Sequence, residues 1–301
     1  MEEYEISLVT FGINIVCIYG SGGLSILATH FTGAFRRGFF CDDDDIRYKY
    51  HYNTIPNEML YSISIGLGAV FILACELYVW RLEARRSRLI YRWQHFRIPN
   101  YIVNFLVYFG FFQLGYAVIT KYAIGRLRPH FLDVCKPANY TCKSEHDYII
   151  DYVCSGDDQY RIDEARLSFF SGHSSFGMYT ALFIILYLQS RLGGRLKIHA
   201  LLPFTQTAIM VLAMLNCYAR ISTNWHHWSD VLCGAIVGSL IAIYTAVFWA
   251  GLFSPRCRYI YDPLEVIVVP DELSQSSRTT GTTVYDEEQR LTTSLENQPD
   301  E

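Results

Sequence analysis

The chain has 301 residues, 51% of them hydrophobic and 18% charged, and its formal net charge is −4. No Lys/Arg-rich tract interleaved with aromatics accompanies this mildly acidic balance, which excludes a nucleic-acid binder built on a basic surface. The apolar residues fall in blocks rather than evenly, which points to a bilayer and away from a soluble globular domain.

A membrane-spanning helix needs about 20 mostly apolar residues. In chain order, blocks of this kind cover residues 6–28, 59–80, 101–120, 175–192, 198–219 and 229–250, the fourth being short. The expected fold is therefore all-α, a polytopic membrane protein with six transmembrane helices. The first block is too long for the apolar core of a signal peptide, lacks an Ala-x-Ala-like exit and follows the acidic start Met1-Glu2-Glu3-Tyr4-Glu5. It reads as a retained signal anchor. No internal repeat is visible.

Between the second and third blocks lie Arg81, Arg85, Arg86, Arg88, Arg92 and Arg97, opposed only by Glu83. The positive-inside tendency makes this loop cytoplasmic. Arg191, Arg195 and Lys197 after the fourth block, and Arg256 and Arg258 after the sixth, then fall on the same side. Both termini are cytoplasmic in this scheme, and residues 29–58, 121–174 and 220–228 face the lumen or the exterior. In the second of these loops Asn139-Tyr140-Thr141 is an N-glycosylation acceptor. Cys135, Cys142 and Cys154 cluster there as well, where disulfides are permitted. One pair within the loop leaves the third cysteine for Cys41, with connectivity open. From about Pro263 the chain turns polar, and residues 274–301, rich in Ser, Thr, Glu and Gln, have little to bury. The expected organisation is a membrane domain over residues 1–258 and a largely disordered cytoplasmic tail over 259–301.

Three outer segments carry chemistry. The first, residues 121–129, holds Lys121, Arg126, Arg128 and Pro129. Lys121 and Arg128 are seven residues apart, two helical turns, so both share one face if the helix continues, while Arg126 points elsewhere. Two fixed cations on one face suit a phosphate. The competing reading is that these side chains snorkel to lipid head groups.

The second segment, Ser168-Phe-Phe-Ser171-Gly172-His173-Ser174-Ser175, opens the fourth block. Serines cap such a helix start, Gly172 permits a close backbone approach, and the free N–H groups favour an anion. His173 is the right kind of proton donor for an alkoxide leaving group near neutral pH. An interfacial capping turn is the plainer alternative.

The third, residues 220–230, holds Arg220, His226, His227 and Asp230. Asp230 is four residues after His226 and three after His227, so spacing lets either ring meet the carboxylate across one helical turn. A carboxylate accepting from Nδ1–H fixes the tautomer and leaves Nε2 as a nucleophile. Two histidines and an aspartate are also a common metal-ligand set. Three surrounding cations suit a phosphoryl transition state better than a divalent ion.

Together the segments resemble the three signature motifs of the type 2 phosphatidic acid phosphatase superfamily: Lys-x6-Arg-Pro, then Pro-Ser-Gly-His, then Ser-Arg-x5-His-x3-Asp. Here they occupy residues 121–129, 170–173 and 219–230. A closer similarity to the animal lipid phosphate phosphatases runs through Arg37-Gly-Phe-Phe-Cys41-Asp42-Asp43, the second outer loop and the Trp-His-His-Trp-Ser-Asp run, covering roughly residues 5–255. Two positions depart from the pattern: Phe170 replaces the usual proline, and Ala219 the usual serine. Neither removes a group that carries chemistry. The first is expected to loosen the turn presenting Gly172 and His173, the second to drop a secondary phosphate hydrogen bond.

The resemblance implies metal-independent, cofactor-free hydrolysis of lipid phosphate monoesters such as phosphatidic acid, lysophosphatidic acid, ceramide 1-phosphate and sphingosine 1-phosphate. It implies that His226, oriented by Asp230, attacks phosphorus and becomes phosphohistidine, while His173 protonates the leaving alkoxide and then activates water. It implies phosphate binding by Lys121, Arg128, Ser171, Gly172 and Arg220, and glycosylation at Asn139. Residence in the plasma membrane or an internal membrane such as the endoplasmic reticulum, a role in lipid signalling, and self-association into a homo-oligomer are implied too. The competing functions are a non-catalytic lipid-binding or adhesion relative, a lipid head-group transferase using the same histidines, and a channel or transporter. The last is disfavoured because the polar groups gather at one membrane face.

Overall fold

The computed structural model describes residues 33–84, 117–139, 141–144 and 146–253, with isolated positions between 16 and 31. The expected span 6–28, most of 101–120, the arginine-rich loop beyond residue 84 and the polar tail lie outside the described residues. Helix α1 is Asn57–Ala84, α2 is Ala117–Ile124, and the short α3 and α4 are Phe131–Cys135 and Gln159–Glu164. Three longer helices follow: α5 at Gly172–Leu192, α6 at Leu201–Ser222, and α7 at Trp228–Tyr244, continued by a π turn over Thr245–Trp249.

The stretches Asn57–Val79, Leu201–Ser222 and Trp228–Trp249 are long and apolar enough to cross a membrane. They match the second, fifth and sixth expected blocks within about three residues at each end, the usual uncertainty of a helix boundary. On α7 the outward side chains Leu232, Ile236 and Leu240 recur every fourth residue and are exposed, as a lipid-facing stripe should be. The opposite stripe, Gly234, Gly238 and Ala242, is buried. A Cβ on Gly234 would lie 2.5 Å from the Ser171 carbonyl oxygen, and one on Gly238 would lie 2.0 Å from that of Ser175. This G-x-x-x-G pair therefore brings the α7 backbone against the start of α5.

Helix α5, the fourth and least apolar block, packs against α1, α6 and α7. Its Phe176, Tyr179, Phe183, Ile184 and Tyr187 are all buried. A helix wrapped by others needs no continuous lipid-facing surface, which explains why its sequence signal is short. Near its far end Arg191 donates from Nε and an NH2 nitrogen to the two carboxylate oxygens of Glu76 on α1, at 2.6 and 2.7 Å, and Tyr187 donates to the same carboxylate. Arg191 is thus buried in an ion pair rather than standing as a loop charge. Arg195 and Lys197 are the basic residues of the turn that follows.

The outer segments depart from a purely α fold. Strand β1 (Phe39–Phe40) pairs antiparallel with β3 (Tyr148–Ile149), and β2 (Pro137–Ala138) with β4 (Val153–Cys154). Disulfides Cys41–Cys142 and Cys135–Cys154 tie these ribbons, one inside the second outer loop and one to Cys41. Phe39, Ile46, Leu127, Phe131, Cys135 and Ala165 form a small core beneath them. Two-residue strands carry no period-2 pattern, so nothing in the sequence announced them. The segments between the helices form a folded cap rather than linkers.

Candidate active site

The first segment reaches the site by a turn. Helix α2 ends at Ile124, and Gly125 follows with φ +58°, where a Cβ would stand 2.1 Å from the Phe35 carbonyl oxygen. Only glycine accommodates both the dihedral and the contact. The helix therefore does not continue from Lys121 to Arg128 as the two-turn argument supposed. Instead the chain leaves the helix at Gly125, and Arg128 is fixed by its backbone N–H donating to the Ala165 carbonyl at 2.8 Å. Lys121 Nζ ends up 4.0 Å from where a Gly172 side chain would begin. A side chain at Gly172 would meet the lysine ammonium at ordinary contact distance, so the two lie side by side.

The second segment is a capped helix start. Ser171 Oγ accepts from the Ser174 N–H and hydroxyl, and its own N–H donates to the Asp230 carbonyl at 3.1 Å. Phe170, at the position of the usual proline, is buried, and the turn is held by these bonds to the third segment. His173, one position into α5, has Nε2 2.8 Å from the Ile55 carbonyl oxygen. A carbonyl can only accept, so Nε2 carries a proton and Nδ1 is the nitrogen free to exchange one. Burial, reinforced by the charges of Arg220, Lys121 and Arg128, pushes this ring down to about 3, with the Ile55 hydrogen bond working against the shift.

From the third segment, Arg220 is fully buried at the end of α6, donating to Asn53 Oδ1 at 2.6 Å. Its Nε and remaining NH2 nitrogen have no protein partner. Arg128 is buried likewise. It gives one NH2 hydrogen bond to Glu164 at 3.3 Å and stacks its guanidinium 4.7 Å over the Trp225 ring, while Nε and NH1 are unpartnered. Burial lowers the Arg128 pKa and Glu164 partly restores it. Ala219, the other departure, closes the end of α6, its carbonyl accepting from the backbone N–H and the hydroxyl of Thr223.

Asp230, fully buried in the first turn of α7, is the hub. Oδ2 accepts from Ser168 Oγ at 2.6 Å and from the His227 N–H and Nδ1, both at 3.1 Å. His226 Nδ1 stands 3.9 Å from this oxygen and 3.5 Å from Ser168 Oγ. Both rings therefore meet the carboxylate, His227 more closely and His226 by way of a serine. Their surroundings separate them. His226 is buried, feels Arg128 and Lys121, and is pushed by burial down to about 3, with Asp230 working against the shift. His227 instead lines a cavity of about 690 Å³ together with Arg37, Phe40, Arg126, Tyr148 and Phe169. Among the described residues no group of three His, Cys, Asp or Glu side chains is arranged to hold a metal ion.

Two parts of the site escaped the sequence reading. Arg126, taken as a head-group cation pointing elsewhere, donates through NH1 to Asp230 Oδ1 and to Ser229 Oγ, the latter at 2.9 Å. The turn at Gly125, invisible to helical spacing, redirects it. The second part is the stretch before α1, which crosses the site. His51 accepts from Trp225 Nε1, Asn53 from Arg220 and Ile55 from His173, while Tyr50 packs edge-on against His130 and tilted against Trp225. Backbone carbonyls supply two of these contacts, so no side-chain motif could have marked them. Asn139 is exposed at the end of β2, with φ +59°.

Comparison with known proteins gives the same direction. The family model for the PAP2 superfamily matches residues 101–253. A Caenorhabditis elegans protein, phospholipid phosphatase homolog 1.2 homolog, is 39% identical over 84% of this chain and 77% of its own length. Rat phospholipid phosphatase 1 is 36% identical over 80% of this chain and 85% of its own, and human phospholipid phosphatase 2 is 34% identical over 81% and 84%. No solved structure matches the chain. The chain belongs to the PAP2 superfamily and, within it, to the group of the phospholipid phosphatases.

Proposed function

We propose that this chain is an integral membrane phosphatase that hydrolyses lipid phosphate monoesters, among them phosphatidic acid, lysophosphatidic acid, ceramide 1-phosphate and sphingosine 1-phosphate, without a metal ion. The observation that carries the reading is the pair of buried guanidiniums, Arg128 and Arg220, whose unpartnered N–H groups lie with Lys121 beside two histidines. Burying such donors unsatisfied is costly, and an anionic ligand is what repairs it. A phosphate dianion has the oxygens to accept from both forks and from Lys121, with Gly172 and the capped start of α5 adding backbone donors.

The chemistry then follows the protons. His226, kept neutral by burial, holds its hydrogen on Nδ1 and offers the Nε2 lone pair to phosphorus. As the N–P bond forms, the P–O bond to the lipid breaks. With the substrate phosphate's negative charge beside it offsetting the cations, His173 takes up a second proton, on Nδ1, and passes that proton to the departing alkoxide, becoming neutral itself. In the second half His173 takes a proton from water, the resulting hydroxide attacks phosphorus, and the N–P bond breaks to release phosphate and neutral His226. The cations hold the equatorial oxygens throughout, so the burden is electrostatic positioning.

Six spans, cytoplasmic termini and an outer-facing site belong to this reading, supported by the disulfide-tied cap and the exposed Asn139 acceptor. Plasma membrane residence and self-association are part of it as well. The test is phosphate release from phosphatidic acid in detergent micelles with a chelator present. Activity is expected to survive chelation and to vanish in His226→Ala. Full activity in that variant sinks the mechanism, and loss of activity with the chelator sinks metal independence. Measurement with and without an acceptor alcohol distinguishes a hydrolase from a head-group transferase.

A further inference from the structure

We propose that Arg126 and Ser168 are positioning residues for the His226 nucleophile, Arg126 by fixing the Asp230 carboxylate and Ser168 by carrying its hold to His226 Nδ1. The inference rests on the reading of His226 as nucleophile given above.

The distances motivate it. At 3.9 Å, Asp230 Oδ2 is too far from His226 Nδ1 for a direct hydrogen bond. Ser168 Oγ lies between them, 2.6 Å from the carboxylate and 3.5 Å from the ring nitrogen, and it is fully buried. A hydroxyl has one proton to give. Ionised Asp230 can only accept, so that proton goes to Oδ2 and a serine lone pair faces Nδ1. Only the tautomer with hydrogen on Nδ1 satisfies this chain, and it leaves Nε2 unprotonated for attack. Direct orientation by Asp230, the geometry suggested by the four-residue spacing, becomes an indirect one.

Oδ2 is crowded by three donors from Ser168 and His227, so the other oxygen decides whether the carboxylate can rotate. Arg126 holds it. Its NH1 bonds Oδ1 and also Ser229 Oγ, and the guanidinium brings a full positive charge into direct contact with a fully buried carboxylate. The two residues also hold each other, since the Ser168 N–H donates to the Arg126 carbonyl at 3.0 Å. Arg126 therefore differs from Lys121, Arg128 and Arg220: its charge is spent on Asp230 and is withheld from phosphate.

The test uses the full chain in phosphatidic acid micelles, comparing Arg126→Gln, Arg126→Lys and Ser168→Ala with wild type and His226→Ala. A positioning role predicts a fall in kcat on the order of 10–100-fold in Arg126→Gln and Ser168→Ala, with KM nearly unchanged. Arg126→Lys should recover part of the loss, because it restores the charge. Removing the charge that Arg126 sets against Asp230 leaves the carboxylate freer to favour the protonated imidazole, so the acid limb of kcat/KM should move to higher pH in Arg126→Gln. Wild-type kcat and pH profile in both Arg126→Gln and Ser168→Ala, with His226→Ala inactive, overturns this inference and spares the nucleophile. Loss confined to KM, or loss that lysine leaves untouched, also overturns it. Activity in His226→Ala overturns the nucleophile itself. Should Arg126→Gln fail to reach the membrane, Arg126→Lys and Ser168→Ala decide: wild-type turnover in both contradicts the proposal.

Discussion

Two sets of buried charge stand at opposite ends of helix α5, and they are built on opposite rules. At the far end Arg191 meets Glu76 through two hydrogen bonds, and Tyr187 completes the carboxylate. At the near end Arg128 and Arg220 are equally buried, yet each leaves two nitrogens without a partner. About 27 Å of helix separates His173 from Arg191 at 1.5 Å per residue. A satisfied buried pair holds the helices together. An unsatisfied one, with like charges gathered around it, stores binding capacity for an anion at the expense of local stability. Burial alone does not distinguish a structural charge from a functional one; the count of unmet donors does.

Substitution at each end can break this contrast. The largest effect belongs to the nucleophile. His226→Ala should lower turnover at least about 10³-fold, since groups that act as a unit lose most of their effect together, and a coupled phosphate-release assay reads it directly. Arg220→Gln comes next, with kcat/KM for phosphatidic acid falling about 10²–10³-fold. Because it removes a cation from a crowded cluster, thermal unfolding in detergent should be unchanged or slightly later. Earlier unfolding would mean that the near-end charges are structural after all.

The far end should show the reverse. Glu76→Leu leaves Arg191 buried without a counter-ion, a loss of about 3–5 kcal/mol of stability. Turnover per folded molecule should stay within about twofold. The double variant Glu76→Leu/Arg191→Met should regain most of the stability, and failure to do so would deny that the two act as a pair. The smallest effect concerns pH. Burial pushes His226 down to about 3, so the neutral imidazole is the populated form down to that value. The acid limb of enzyme phosphorylation that reports His226, corrected for ionisation of the substrate phosphate, should therefore lie below about pH 5. A limb near the ordinary histidine range that tracks His226 would show that its surroundings are wetter than the structure indicates.

The contrast also explains what was legible in the sequence. Lys121, Arg128, His173, Arg220, His226 and Asp230 stand in runs whose spacing and residue types carry their chemistry, and the structure gathers them around the start of α5. Apolar blocks marked α1, α6 and α7 because a lipid-facing helix must advertise its length in hydropathy. Where geometry came from the backbone, the signal disappeared. The end of the helix at Gly125 puts Arg126 on Asp230 although helical spacing sent it outward. The Ile55 carbonyl engages His173 and the His51 carbonyl engages Trp225, and no side-chain pattern could show either. Glu76 and Arg191 are 115 residues apart, and neither neighbourhood names the other. The G-x-x-x-G of Gly234 and Gly238 was present to be read, and it is what brings Asp230 to the Ser171 backbone.

The most direct test of the account is acid-quench trapping of the phosphoenzyme on a lipid phosphate labelled in its phosphate, followed by peptide mapping. Label on an imidazole nitrogen of His226, absent in His226→Ala and formed with a chelator present, is the predicted result. Label on His227 or on no histidine, in protein that still releases phosphate, would contradict it.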